Sequence, residues 1–230
     1  MVVTSVVGGR LDRRRVVDVV RATVCASAFA PTSAPGTAYW LHGVPGTYGN
    51  TGAGAVADCT VAAAADLEQI FTRSPVPLAP GPWIAAYDAL LAAEQPGVPP
   101  GPSAGLAVAP VLAAWAGPGI AGTRIASIRA LALGQASIEH ALRSGPLYGV
   151  VDLPAPTDPG VAPLVDTSYV ALTQWTPADP GSSYLSGGLH AVAVVGFDAA
   201  DVFLESWGYV QPVSWSWWAA HAEQADAVTP

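Results

Sequence analysis

Lysine is absent from this chain of 230 residues, and its nine basic residues, all of them arginine, are outnumbered by 17 acidic ones. The resulting net charge of −8 excludes the broad cationic surface that binds a nucleic-acid backbone, so nucleic acid is not expected as the main partner. Charged residues are scarce, at 11%, whereas 51% of the chain is hydrophobic. That balance predicts a large folded core, with apolar surface left over that a subunit interface would bury.

Long apolar runs are missing as well. None approaches the roughly 18 to 20 residues that a membrane-spanning helix needs, so no membrane partner is expected. The arginines at 13–15 precede an apolar stretch at 16–30, which is the pattern of a secretion signal. Because Asp18 and Arg21 interrupt that stretch, we favour a protein that is not exported, without excluding secretion.

Cysteine is nearly absent, since the chain has only Cys25 and Cys59. Two cysteines cannot build a disulfide framework, and their scarcity favours a reducing compartment. A bond between the two would block any chemistry at Cys59. We favour the alternative, in which Cys25 is a small buried apolar residue and Cys59 keeps a free thiol.

The apolar spacing changes character along the chain. Helical spacing recurs in the first half, over residues 58–73, 82–93 and 106–116. Short runs typical of strands dominate the second half, over residues 147–153, 190–197 and 202–205. Residues 214–222 fit either a strand or a helix. Helices followed by strands predict an α+β fold with a cleft between its two halves.

This change of pattern suggests a division of the chain. We assign residues 1–45, which are largely irregular, to an N-terminal arm. Residues 46–230 form the predicted domain, with a helical lobe over about 46–122 and a β lobe over about 123–230.

The thiol of Cys59 stands where a helix is predicted to begin. Asp58 before it is a favourable N-cap, because its carboxylate can accept the unpaired N–H groups of the first turn. The positive end of the helix dipole and a protonated imidazole nearby would both lower the pKa of the thiol and favour the nucleophilic thiolate. The negative charge of Asp58 opposes this effect unless capping occupies the carboxylate.

An imidazole and a carboxylate follow in the second half of the chain. His190 opens an apolar strand, and Glu205 lies 15 positions later (205 − 190). His190 is the candidate general base, and Glu205 is the candidate acceptor that holds the ring by its second nitrogen. Trp207 would shield that hydrogen bond from water. With Cys59, these residues predict a thiolate–imidazolium pair at a nucleophilic site.

Other chemistries have little support in the sequence. His42, His140 and His221 lack the spacing of metal ligands, so no metal is expected. The glycines at 52 and 54 are not followed by Gly-Lys-Ser or Gly-Lys-Thr, which argues against a phosphate loop. No cofactor is therefore predicted.

These segments resemble the papain-like cysteine peptidases, whose signature runs His-Ala-Val, Val-Gly-Tyr and then Asn-Ser-Trp-Gly. Residues 190–192, 195–197 and 205–208 of this chain read His-Ala-Val, Val-Gly-Phe and Glu-Ser-Trp-Gly. The separation of 131 residues between Cys59 and His190 (190 − 59) also suits a domain of that family. The resemblance implies a helical N-terminal lobe, an antiparallel β C-terminal lobe, and Cys59, His190 and Glu205 as catalytic residues.

Two positions depart from the family pattern. Glu205 stands where the family has asparagine, which keeps a hydrogen-bond acceptor but adds a charge. The family's oxyanion glutamine, or asparagine in its phage branch, lies six residues before the cysteine, where this chain has Ala53 (59 − 53). We assign the oxyanion role to Asn50 and to the backbone N–H of Cys59. A missing donor would cost about 3 kcal/mol in the transition state.

A narrower likeness covers more of the chain, from about residue 48 to 225. Residues 58–60, 115–122 and 207–217 are similar to segments of papain-like proteins from bacteriophages and prophages of GC-rich bacteria. This likeness implies a viral setting for the protein.

The leading interpretation is a cysteine peptidase or amidase that cleaves a peptide or amide bond through a thioester on Cys59. Its substrate would be a protein or a peptidoglycan peptide. The alternative is a catalytically idle papain-fold structural protein, such as a phage virion or head-associated component, that assembles with copies of itself or with other virion proteins. A transglutaminase-like acyltransferase is a third interpretation, which the Ser-Trp-Gly element disfavours. These interpretations predict a cytoplasmic or virion-associated protein.

Overall fold

The computed structural model describes residues 6–7, 10–11, 36–49, 56–101, 103–153 and 188–230. Within these ranges the helices are α1 (Cys59–Phe71), α2 (Pro80–Glu94), α3 (Val108–Ala116), α4 (Gln135–Leu142) and α5 (Trp215–His221). Two short strands, β1 (Val6–Val7) and β2 (Arg10–Leu11), pair only with each other. The main sheet contains β3 (Ala38–Tyr39), β4 (Ser127–Ala130), β5 (Leu147–Leu153), β6 (Gly188–Phe197), β7 (Asp201–Ser206), β8 (Tyr209–Ser214) and β9 (Ala222–Thr229).

In the described part of the chain, the seven strands of the main sheet pair antiparallel throughout. Their order is β4-β9-β5-β6-β7-β8, and β3 pairs with the end of β6. Three helices precede most of this sheet along the chain, which confirms the predicted α+β class and its division into a helical part and an antiparallel β part.

The alanine-rich helix α1 packs on one face of the sheet. Residues 62–65 of this helix, all alanine, are buried, and they belong to the same core cluster as Ala191, Ala193 and Val195 of β6. Because alanine has only a methyl side chain, the helix can lie close to the strand. Tyr148 also ties α1 to the neighbouring strand β5, since its buried O–H donates to the carbonyl of Thr60 at 2.9 Å.

The opposite face of the sheet is covered by α4 and α5. A second buried cluster lies there. It contains Ile138 and Leu142 of α4, Trp217 and Trp218 of α5, and Val192 and Val194 of β6. Residues 214–222 fitted either a strand or a helix, and within them Trp215–His221 fold as α5. Ser214 caps that helix, because its Oγ accepts the N–H of Trp217 at 3.1 Å.

Residues 38–41 belong to the folded unit, although the sequence assigned them to the arm. The N–H of Trp40 donates to the carbonyl of Val195 at 2.8 Å, and its indole N–H donates to the carbonyl of Leu142 at 2.6 Å. Leu41 is buried in the core. The boundary drawn at residue 45 therefore lies inside the domain. Apart from β1 and β2, residues 1–35 lie outside the described residues.

Strand β3 depends on a glycine, and we expect Gly196→Ala to destabilise the fold. A Cβ at this position would lie 2.3 Å from the carbonyl oxygen of Ala38, so β3 must move away from β6. Overpacking of this kind costs about 1–3 kcal/mol. Chemical denaturation measures the change in the free energy of unfolding.

The matched control is Gly145→Ala, where a Cβ would meet no atom within 4 Å. That variant is expected to stay within about 0.5 kcal/mol of the parent protein. Equal stability of the two variants would contradict the contact between β3 and β6.

Candidate active site

Cys59 is the first residue of α1, as the sequence predicts. Asp58 occupies the N-cap position, and its carbonyl accepts the N–H groups of Val61 and Ala62 at 2.8 and 2.9 Å. Its carboxylate, however, makes no capping hydrogen bond, so that prediction is wrong. The carboxyl group is instead fully buried and turned toward Gly49, where a Cβ would lie 2.7 Å from Oδ2. This burial raises the pKa of Asp58 to about 8.

The Cys59 thiol is free and partly buried, and it lies against strand β6. The backbone N–H of Ala191 lies close enough to the sulfur to stabilise its thiolate form. Since Ala191 directly follows His190, the thiol sits beside the peptide bond that joins these two residues. Among the described residues, no hydrogen bond joins the sulfur to the His190 ring itself. Such bonds are often long in the free enzyme and tighten when substrate binds.

Burial makes the resting site neutral instead of ionic. It raises the pKa of the Cys59 thiol, an effect that the Ala191 N–H partly offsets and that the nearby Asp58 reinforces. Burial also lowers the pKa of His190 to about 3. The thiolate–imidazolium pair expected from the sequence is therefore replaced, near pH 7, by a thiol and a neutral imidazole. Loss of water around both groups outweighs the helix dipole.

The His190 ring is held by the two residues that end β7 and follow it. Its Nε2 lies 2.7 Å from the Oγ of Ser206, and its ring stacks on Trp207 with centroids 4.2 Å apart and an interplanar angle of 15°. Trp207 and Gly208 have φ values of 52° and 79°, which is the pattern of a tight type I′ hairpin turn. This turn directs the indole back over the imidazole.

The structure puts Ser206 at the ring nitrogen that the sequence assigned to Glu205. Successive side chains of a strand point to opposite faces of the sheet. Glu205 pairs with Ala193, whose side chain faces α1, so Glu205 also faces α1. Ser206, one residue later, lies on the other face and meets His190. The expected hydrogen bond from His190 to Glu205 is thus corrected to one with Ser206.

Glu205 instead contacts Asp66 of α1. The two side chains are 0% and 2% exposed, and neither carboxyl oxygen of Glu205 accepts a hydrogen bond from an N–H or O–H donor of the described residues. Burial raises the pKa of both, that of Glu205 to about 8. The nearby N–H of Gly46 limits the rise, because it stabilises the ionised form of each carboxyl.

The oxyanion prediction falls outside the described residues, which do not include Asn50 or Ala53. The described residues on either side come together, because the N–H of Val56 donates to the carbonyl of Gly49 at 3.1 Å. Asn50 therefore stays a prediction.

In the described part of the chain, no group of three or more histidine, cysteine, aspartate or glutamate side chains could hold a metal ion. None of the helices there has both the length and the apolar character needed to cross a membrane.

Comparisons with solved structures identify the fold. The chain has the fold of the papain-like cysteine proteases. It is similar to xylellain, a cysteine protease from Xylella fastidiosa, with a TM-score of 0.59 and 12% identity over 88% of this chain and 90% of that one. It is also similar to a Carica candamarcensis cysteine protease in complex with E-64, with a TM-score of 0.51 and 13% identity over 85% of this chain and 99% of that one.

A third papain-like neighbour comes from the mite allergens Blo t 1 and Der p 1. Its TM-score is 0.51 at 12% identity, over 97% of this chain and 79% of that one. No protein-family model matches the chain, and neither does any curated protein. At these identities the likeness establishes the fold, and the chemistry of the site has to be argued from its own residues.

Proposed function

We propose that this protein is a papain-like cysteine peptidase or amidase with Cys59 as its nucleophile. In the first step, His190 takes the thiol proton while the sulfur attacks the carbonyl carbon of an amide. The amine leaves with the proton that His190 returns to it, and a thioester remains on Cys59. In the second step, His190 removes a proton from water, the water oxygen attacks the thioester, and the thiol and a carboxylic acid are released.

One observation carries the proposal. The thiol at the start of α1 lies close to the N–H of Ala191, the residue that follows His190 near the start of β6. The resemblance to the papain-like cysteine peptidases assigns the nucleophile and the base to these two residues. Because both groups rest neutral, proton removal by His190 must accompany the attack of the sulfur. A preformed thiolate is not required.

The oxyanion of the tetrahedral intermediate needs donors near the sulfur. We propose the backbone N–H of Cys59 and the side chain of Asn50 for this role. The substrate would be a protein or a peptidoglycan peptide, because either supplies the amide that the reaction requires.

The test is covalent labelling with a thiol-directed peptidyl electrophile at pH 6, with the labelled peptides identified by mass spectrometry. We expect Cys59 to be labelled at least about tenfold faster than Cys25, because a bound peptide places the electrophile beside the sulfur. His190→Ala should reduce labelling of Cys59 to the rate of Cys25. Urea-unfolded protein is the control for intrinsic thiol reactivity, and both cysteines should then react alike.

Equal and slow labelling of both cysteines in the folded protein would overturn the proposal. It would favour the second candidate, an idle papain-fold structural protein such as a phage virion component. The withdrawal of Glu205 from His190 and the raised pKa of the Cys59 thiol support that candidate. Its own test is the mass in solution, since an assembly protein should form oligomers and a stable monomer at high concentration would count against it.

A further inference from the structure

The contacts of His190 differ from those that its sequence neighbours suggest. Among the described residues, its ring has two side-chain partners, the hydroxyl of Ser206 and the indole of Trp207. Neither partner is charged. The carboxyl group that could have paired with the ring, that of Glu205, lies on the other face of β7 and is buried against Asp66.

We propose that Ser206, and not Glu205, is the residue that positions the His190 imidazole for proton transfer. This inference rests on the proposed function, and it assigns a role that the resemblance to the family gives to residue 205. Its basis is the 2.7 Å contact between the Ser206 Oγ and Nε2 of a ring that is only 6% exposed.

The contact selects one tautomer of the ring. Ser206 engages Nε2, so the proposed function assigns the thiol proton to Nδ1. Nδ1 must then be unprotonated at rest, and Nε2 carries the hydrogen that it donates to the Ser206 Oγ. When Nδ1 gains a proton, Nε2 keeps its own, and the bond to Ser206 persists through the reaction.

A hydroxyl and a carboxylate hold a ring with different consequences. A carboxylate would favour the imidazolium, whereas the neutral hydroxyl of Ser206 orients the ring without stabilising its charge. Trp207, stacked on one side of the ring, limits its rotation. These contacts therefore suit an imidazole that is neutral at rest and that carries a second proton only while the sulfur attacks.

The experiment compares four variants of two neighbouring residues and one distant serine: Ser206→Ala, Ser206→Thr, Glu205→Gln and the exposed control Ser144→Ala. The first readout is the rate at which the peptidyl electrophile labels Cys59. We expect Ser206→Ala to lower this rate about tenfold, the size of one lost hydrogen bond. Ser206→Thr, which keeps a hydroxyl, should restore most of it, and Glu205→Gln should change it less than about threefold.

The second readout is the tautomer of His190, obtained at pH 7 from its imidazole nitrogen chemical shifts. The signals of His190 are those that disappear in His190→Ala. The parent protein, Glu205→Gln and Ser144→Ala should show the tautomer with hydrogen on Nε2, and Ser206→Ala should show a mixture. A general loss of packing would not change the tautomer in one variant alone.

Two outcomes would overturn the inference. One is an unchanged His190 tautomer in Ser206→Ala. The other is a larger loss of labelling in Glu205→Gln than in Ser206→Ala, which would return the role to Glu205. If the parent protein does not label at Cys59, the proposed function fails, and the tautomer still decides which residue holds the ring.

Discussion

Replacing His190 by alanine is expected to lower peptide turnover by about a thousandfold, the range that general acid–base catalysis covers. The physical reason is the neutral resting state of the site. Burial raises the pKa of the Cys59 thiol, so little thiolate forms without a base to take the proton. Burial also lowers the pKa of His190 to about 3, so the ring is an available base throughout pH 5–8. The loss should therefore be similar across that range.

The measurement is turnover of a fluorogenic peptide library, with kcat and KM separated on the best substrate found. The loss should fall on kcat, since His190 acts on the proton and makes no binding contact that we propose. His140→Ala is the matched control, because His140 is an exposed histidine of α4. A fall of less than about tenfold in His190→Ala, with the fold intact, would exclude the ring as the general base.

Part of this site could be predicted because short sequence patterns indicate where its helix and strands begin and end. Proline at 146 and 154 brackets the strand predicted over 147–153, and β5 has those same bounds. The apolar stripe after Asp58 predicted α1, which begins at Cys59. Positions near a helix start or a strand start follow from such signals, and the places of Cys59 in α1 and His190 in β6 were predicted in this way.

The choice between residues 205 and 206 could not be predicted in this way. A shift of one residue moves a side chain to the other face of a sheet. The register between β6 and β7 is interrupted by an irregularity between Val194 and Gly196. Only the paired structure shows that Glu205 opposes Ala193 and faces α1. The burial that sets both pKa shifts at the site is likewise a property of the whole fold.

Strand β9 was missed for a different reason. Its sequence, Ala-Glu-Gln-Ala-Asp-Ala-Val-Thr, is rich in residues that favour helices. It forms a strand because it pairs with β4 on one side and with β5 on the other. Tertiary pairing overrides local preference here, as is usual for strands.

Raising the pH from about 4.5 to 8 is expected to weaken the folded state. Glu205 and Asp58 both have a pKa of about 8 in the folded protein because they are buried, and the pKa of Asp66 is raised well above its ordinary value. Unfolding releases these carboxyls to ionise near pH 4. A group whose folded pKa is raised stabilises the fold at low pH, and this contribution is lost as the pH approaches the folded value.

His190 acts in the opposite direction over part of this range. Its folded pKa, about 3, lies below its unfolded value of 6.5, so its contribution to stability falls as the pH drops through that interval. Each group changes the free energy of unfolding by about 1.4 kcal/mol per pH unit while it is protonated in only one state. Since three carboxyls oppose one imidazole, the greatest stability is expected near pH 4–5, with a loss of several kcal/mol by pH 8.

The Asp66–Glu205 pair can be separated from the other groups by substitution. Glu205→Gln keeps the shape of the side chain but cannot ionise, so it should be more stable than the parent protein at pH 8 and no more stable at pH 4.5. Urea denaturation at five or six pH values measures both slopes. The exposed Glu223→Gln is the matched control and should leave the slope unchanged. If Glu205→Gln keeps the full pH dependence of the parent protein, Glu205 is already ionised in the fold below pH 8, and its pKa is not raised by burial.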